Sequence, residues 1–145
     1  MHIEISEAIR SVLIVEDEAL VAMMMEELVR ELGVTDVHVC GDVASALELA
    51  RLADIDCAVL DIRLRDGSSI EVADALAARG VPFMFSTGSD SEALEGRHAG
   101  RPFIGKPFRD DDFTTLLLDT CRLGGAMPPV TTADALRVAT FTPSD

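Results

Sequence analysis

Charge stands in this chain where charge is costly. The apolar run Val12-Leu13-Ile14-Val15 ends in Glu16-Asp17, Cys57-Ala58-Val59-Leu60 ends in Asp61, and Pro102-Phe103-Ile104-Gly105 ends in Lys106-Pro107. Buried strands normally avoid charge, so carboxylates and an ammonium at strand ends imply chemistry. Like charges a few ångströms apart raise each other's pKa and weaken the fold that holds them. A hard divalent cation relieves that repulsion, and Mg²⁺ typically takes one or two carboxylates, a carbonyl and several waters. Its open positions suit phosphate oxygens. A carboxylate that both touches such a cation and faces solvent can attack phosphorus and form an aspartyl phosphate. Charge neutralisation is most of what phosphoryl transfer requires, and Lys106 supplies more of it. Thr87, after Phe83-Met84-Phe85-Ser86, adds a hydroxyl for a phosphoryl oxygen.

Alternating strand and helix signals position these groups. The strand candidates are residues 12–15, 37–40, 57–60, 82–86 and 102–105. Most are continuous apolar runs, as parallel strands covered on both faces require. Val21, Met25, Leu28 and Leu32 form one helical stripe that Gly33 stops. Asp42 is placed to cap a helix carrying Ala46, Leu47 and Ala50, and Ser68 or Ser69 one carrying Val72, Ala73 and Leu76. A last helix reads from about Asp111, with Phe113, Leu116, Leu117 and Cys121 on its stripe. The interval 90–100 is polar and interrupted by Gly96, so its helix is expected to be weak. Short connections imply right-handed crossovers and a doubly wound α/β sheet of flavodoxin-like (βα)5 type, order 2-1-3-4-5. That order sets strands 1 and 3 side by side and makes neighbours of Glu16, Asp17 and Asp61.

Composition excludes several classes. The 145 residues are one domain's worth of chain and 48% hydrophobic, enough for a core. Against 26 Asp and Glu stand 12 Lys and Arg, a formal charge of -14, which argues against a nucleic-acid partner. No apolar run approaches membrane-span length and no signal-peptide pattern opens the chain, so a cytoplasmic protein without membrane contact is expected. Cys40, Cys57 and Cys121 lie in apolar segments without metal-type spacing and read as small buried hydrophobes. Residues 1–10 read as an N-terminal extension and 11–123 as the folded domain. Gly124-Gly125 and Pro128-Pro129 open a flexible tail over 124–145, in which 133–139 has the pattern of a short helix.

Glu16-Asp17, Asp61, Thr87 and Lys106-Pro107, in this order and at these strand ends, resemble a response-regulator receiver domain over about residues 11–123. The resemblance implies that Asp61 is the phosphoacceptor. It implies that Glu16, Asp17 and Asp61 hold Mg²⁺, with the Arg63 backbone carbonyl as a further ligand. It makes Lys106 the phosphoryl ligand and Thr87 with Phe103 the switch pair, and it raises the expectation of a cis Lys106-Pro107 bond. Its partners would be a sensor histidine kinase or phosphotransfer protein upstream. Downstream, a protein would dock on the face of the fourth helix, fifth strand and fifth helix. Two departures stand out. Arg65 replaces the proline common four residues after the phosphoacceptor, and Gly88 follows Thr87 where alanine is frequent. With Pro102 to Phe108, the segment 83–88 resembles the atypical "FAT GUY" receivers of alphaproteobacteria, although Ser89-Asp90 departs from their usual ending.

Several residues have plainer readings. Met23-Met24-Met25 is a helix crossing from surface to core, Asp110-Asp111-Asp112 a helix N-terminus favoured by the dipole, and His98 an exposed residue without a ligand role. The function expected is a single-domain phosphoacceptor that signals by protein contact, because no output domain follows it in the sequence. A phosphate-independent interaction module of the same fold is the alternative. A phosphohydrolase of the haloacid dehalogenase type is disfavoured, since it requires a second Asp where Arg63 stands.

Overall fold

The computed structural model describes residues 9–88, 98 and 100–122. The expected weak helix in the interval 90–100, the tail from 124 and the short helix at 133–139 lie outside the described residues.

A central parallel sheet takes β1 (Ser11–Val15), β2 (Asp36–Cys40), β3 (Cys57–Asp61), β6 (Phe83–Thr87) and β7 (Phe103–Gly105). Between β3 and β6 lies a hairpin of β4 (Arg63–Leu64) and β5 (Gly67–Ser68), which the sequence reading does not contain. The sheet order is β2-β1-β3-β6-β7, which is the expected 2-1-3-4-5 once the hairpin is set aside. Helices α1 (Ala19–Glu31), α2 (Val43–Leu52), α3 (Ile70–Ala78) and α4 (Asp110–Arg122) pack on it. The two apolar faces follow from strand alternation. Leu13, Val15, Leu60, Phe83 and Phe85 pack with α2 and α3 on one side. Val12, Ile14, Val59, Met84 and Ile104 pack with α1 and α4 on the other. The edge strands β2 and β7 escape full burial: Asp36 and Val39 of β2 are exposed, and Phe103 and Gly105 of β7 are half-buried.

Local signals explain most helix boundaries. Gly33 stops α1 with a φ of 100°, a conformation that glycine adopts without strain. Asp42 caps α2 by accepting a 2.9 Å bond from the Ser45 amide, as the sequence implies. At α3 the two serines that the sequence offers as caps divide the role. Ser69 occupies the N-cap but its buried hydroxyl donates to the Ile62 carbonyl, and the Ser68 hydroxyl accepts from the Ile70 amide. The first turn of α4 begins at Asp110, a residue earlier than expected, and carries Asp110, Asp111 and Asp112. Met23 is exposed, Met24 half-buried and Met25 buried, as a helix crossing core to surface requires. Cys57 is buried, whereas Cys40 and Cys121 are only half-buried, and all are free thiols.

The Asp42 cap gives a clean test of this account. Asp42→Ala is expected to lower stability by about 1 kcal/mol in urea denaturation without changing the slope.

Candidate functional site

The C-terminal ends of β1, β3 and β7 meet at one sheet edge. β1 and β3 run in parallel register, with Val15 opposite Leu60, so the next residues along, Glu16 and Asp61, come together. Lys106 follows β7 directly, and its amide donates a 2.8 Å bond to the Thr87 carbonyl. The Lys106-Pro107 bond is cis, as the receiver resemblance leads one to expect. Phe108 stacks on Phe113 of α4 with centroids 5.2 Å apart, so the turn after Lys106 is held to the helix.

The charges converge tightly. Lys106 Nζ donates to Glu16 Oε1 at 2.8 Å and to Asp61 Oδ2 at 3.2 Å. The carboxylates of Glu16, Asp17 and Asp61 each bring an oxygen within 4.8 Å of the others. Glu16 and Asp61 are buried, and Asp17 is half-buried. Burial, then the neighbouring Glu16 charge, push the Asp61 carboxyl up to about 6 despite the opposing pull of Lys106. Burial works to lower the Lys106 ammonium, but its bonds and charge contacts with Glu16 and Asp61 prevail and raise it. Two buried carboxylates thus share a single ammonium. The donors are all hard oxygens, so the set suits a hard divalent cation.

A close backbone approach completes the edge. A Cβ on Gly41, just past β2, would stand 3.3 Å from both the Asp17 Cα and the Glu16 carbonyl oxygen. The loop after β2 therefore lies close against the acidic loop, where a side chain on Gly41 would require its neighbours to give by a few tenths of an ångström. The Glu16 amide donates to the Cys40 carbonyl at 3.0 Å, tying the same two loops together.

The other expected residues surround this cluster. Thr87 is buried at the end of β6, one residue past Ser86, the register partner of Asp61. Phe103 is half-buried opposite Phe85, and Gly105 stands opposite Thr87. Arg63 lies on β4 opposite Ser68 and is exposed.

Two residues exceed the sequence reading. Glu18 continues the acidic run, and its amide donates to Glu16 Oε2 while its carboxylate lies 3.6 Å from Lys106 Nζ. The signal was the acid itself, directly after Asp17. His98 corrects an expectation, because its side chain is only 10% exposed, with Nε2 2.8 Å from Asp74 Oδ1. Its ring packs edge-on against Phe83, with Arg101 stacked over the same phenyl ring. The polar sequence around His98 hid the Phe83 and Phe85 rings that cover it.

Comparison with known proteins gives this geometry a family. The family description "Response regulator receiver domain" matches residues 12–118, most of the chain. The chain belongs to the receiver-domain family. The receiver is 35% identical over 107 residues to the transcriptional regulatory protein PdtaR of Mycobacterium tuberculosis, covering 71% of this chain and 52% of that one. The chain therefore spans about half the length of that curated relative. Among solved structures, SdrG of Sphingomonas melonis is 41% identical, covers 79% of this chain and 98% of its own, and superposes with a TM-score of 0.69. The receiver domain of PhyR from Erythrobacter litoralis is 28% identical, with coverages of 85% and 96% and a TM-score of 0.70. No helix among the described residues is long and apolar enough to cross a membrane.

Two predictions follow from this geometry. A raised folded-state pKa means that the Asp61 proton stabilises the fold, fully so below the unfolded value near 3.8. That contribution is lost as pH rises through about 6. In chelator, Asp61→Asn should therefore be more stable than the parent at pH 8. The gap should close as pH falls below about 4. Equal denaturation midpoints at pH 8 would refute the strained acid pair. His98→Ala, by contrast, should cost about 2 kcal/mol from the lost Asp74 bond and ring packing, measured by urea denaturation at pH 7.

Proposed function

We propose that this receiver accepts a phosphoryl group on Asp61 from the phosphohistidine of a kinase or phosphotransfer protein in the cytoplasm, and signals by a changed affinity for a protein partner. The observation that carries this reading is the convergence of Asp61, Glu16, Asp17 and Lys106 at one sheet edge, with Lys106 Nζ 3.2 Å from Asp61 Oδ2.

Each residue then has a task. Glu16, Asp17 and Asp61 would hold Mg²⁺, with the Arg63 carbonyl as a further ligand, and the ion would neutralise charge on the transferring group. An Asp61 carboxylate oxygen attacks phosphorus as the bond to the donor imidazole nitrogen breaks, and the freed imidazole keeps that electron pair. Lys106, already bonded to Asp61, moves onto a phosphoryl oxygen and remains paired with Glu16. Lys106, bonded to Asp61, favours the ionised carboxylate, which is the form that attacks.

The acyl phosphate adds roughly two negative charges and new acceptor oxygens. Thr87, at the adjoining strand end, offers its hydroxyl to one of them. Movement of Thr87 changes the packing beside Phe103, which lies one strand away in β7. Phe103 has no hydroxyl, so its part in the switch works through burial. The surface that repacks is the one around β7 and α4, and a partner must bind its two states unequally.

Intact mass after incubation with acetyl phosphate and Mg²⁺ is expected to show one added phosphoryl group, absent from Asp61→Asn and from the chelated control. Uptake by Asp61→Asn would remove Asp61 as the acceptor. Thr87→Ala is expected to keep the phosphoryl uptake but to lose the accompanying change in amide-exchange protection around Phe103. A normal protection change in that variant would show that the hydroxyl is not the trigger.

A further inference from the structure

Arg65 stands where receivers commonly carry proline, and the structure gives this departure a consequence. The Arg65 backbone N–H donates a 2.8 Å hydrogen bond to Asp17 Oδ2. Proline has no N–H and cannot make this bond. The Arg65 guanidinium Nε is 3.9 Å from the same oxygen, on a side chain 83% exposed. In water a contact that long and that open contributes little. The short backbone bond is the one that can orient a carboxylate.

The amide is itself held in place. Asp66, the next residue, accepts from the Val43 amide with both carboxylate oxygens at 3.2 Å. Val43 is the first residue of α2, so Asp66 anchors the turn between β4 and β5 on that helix's N-terminus. Gly67 completes the turn with a φ of 147°. Asp66 thus fastens the turn to α2, and the turn presents the Arg65 N–H to Asp17.

We infer that Arg65 is a positioning residue for the cation site, its backbone N–H holding Asp17 with Oδ2 occupied and Oδ1 free for the metal. The inference rests on the metal reading above. Of the three carboxylates Asp17 is the one without a bond to Lys106 among the described residues, whereas Glu16 and Asp61 both receive that ammonium. An acid without such a partner spreads over several rotamers, and ordering it at binding weakens affinity. A hydrogen bond made in advance removes that cost, and outer bonds to metal ligands commonly change affinity by about 10-fold or more. The guanidinium acts in the opposite sense, as a nearby positive charge that disfavours the cation weakly and less so in salt.

The test separates the amide from the side chain. Mg²⁺ and Mn²⁺ affinities are measured by calorimetry on the full chain for the parent, Arg65→Ala and Arg65→Pro, with thermal midpoints recorded in chelator. Arg65→Ala keeps the N–H and is expected to bind within about threefold of the parent, on the tighter side at low salt. Arg65→Pro is expected to bind about 3- to 10-fold more weakly than Arg65→Ala, at the same midpoint. Equal affinities for the alanine and proline variants would overturn the inference while leaving the metal reading intact. Absence of cation binding by the parent would overturn both. If Arg65→Pro does not fold, Asp66→Ala decides, since it releases the turn and leaves Arg65 in place. A several-fold loss of affinity relative to the parent supports the inference, and unchanged affinity overturns it.

Discussion

One ammonium shared between two buried carboxylates is the constraint around which this receiver is built. Glu16 and Asp61 sit in the interior edge of a sheet where isolated charge is costly, and Lys106 reaches both. The arrangement is stable only in part. The ammonium satisfies the geometry, but burial and then the neighbouring Glu16 charge still hold the Asp61 carboxyl well above the ordinary aspartate range. A site left in that state attracts further positive charge. In the proposed reading the cation supplies it, and the phosphoryl group that follows brings negative charge back to a place prepared for it.

The scaffold serves this cluster with few parts. Parallel pairing of β1 with β3 and of β3 with β6 aligns the strand ends, so side chains distant in sequence emerge at one edge. The Lys106 amide bonds to the Thr87 carbonyl, which makes the lysine's position depend on the strand that carries the proposed switch residue. Below Thr87 the same strand presents Phe83 and Phe85, which pack against His98 and, through it, Asp74 of α3. Movement at the top of β6 therefore has a packed route towards α3 as well as towards β7. Close packing makes such a route stepwise rather than elastic.

Much of this was legible in the sequence because the signals were local. Continuous apolar runs ending in Glu16, Asp61 and Lys106 revealed strands, their burial and the edge at which they meet. Gly33 and Asp42 marked helix boundaries by backbone conformation and capping. What the sequence concealed depended on distant partners. His98 looked exposed because its neighbours in sequence are polar, whereas Phe83 and Phe85, which cover it, come from another strand. Ser69 looked like a capping residue, but its burial beside the Ile62 carbonyl gave its hydroxyl a different bond. The β4–β5 hairpin is too short to have a periodicity, and it is held by Asp66 on a helix more than twenty residues earlier.

The surroundings of Asp61 also bear on the disfavoured phosphohydrolase reading. A phosphohydrolase that proceeds through an aspartyl phosphate needs a base to activate water and an acid for the leaving group. Here the residue two positions on is Arg63, which lies on β4 and carries a fixed positive charge. Among the described residues the acids grouped with Asp61 are Glu16 and Asp17, and both have other work. Glu16 is bonded to Lys106 and to the Glu18 amide, and Asp17 to the Arg65 amide. Glu18 is the remaining acid of the run, and it too lies beside Lys106. Among the described residues each of these carboxylates is thus engaged in neutralisation or hydrogen bonding. Arg63, standing where a phosphohydrolase places its acid–base residue, thus weighs against that reading.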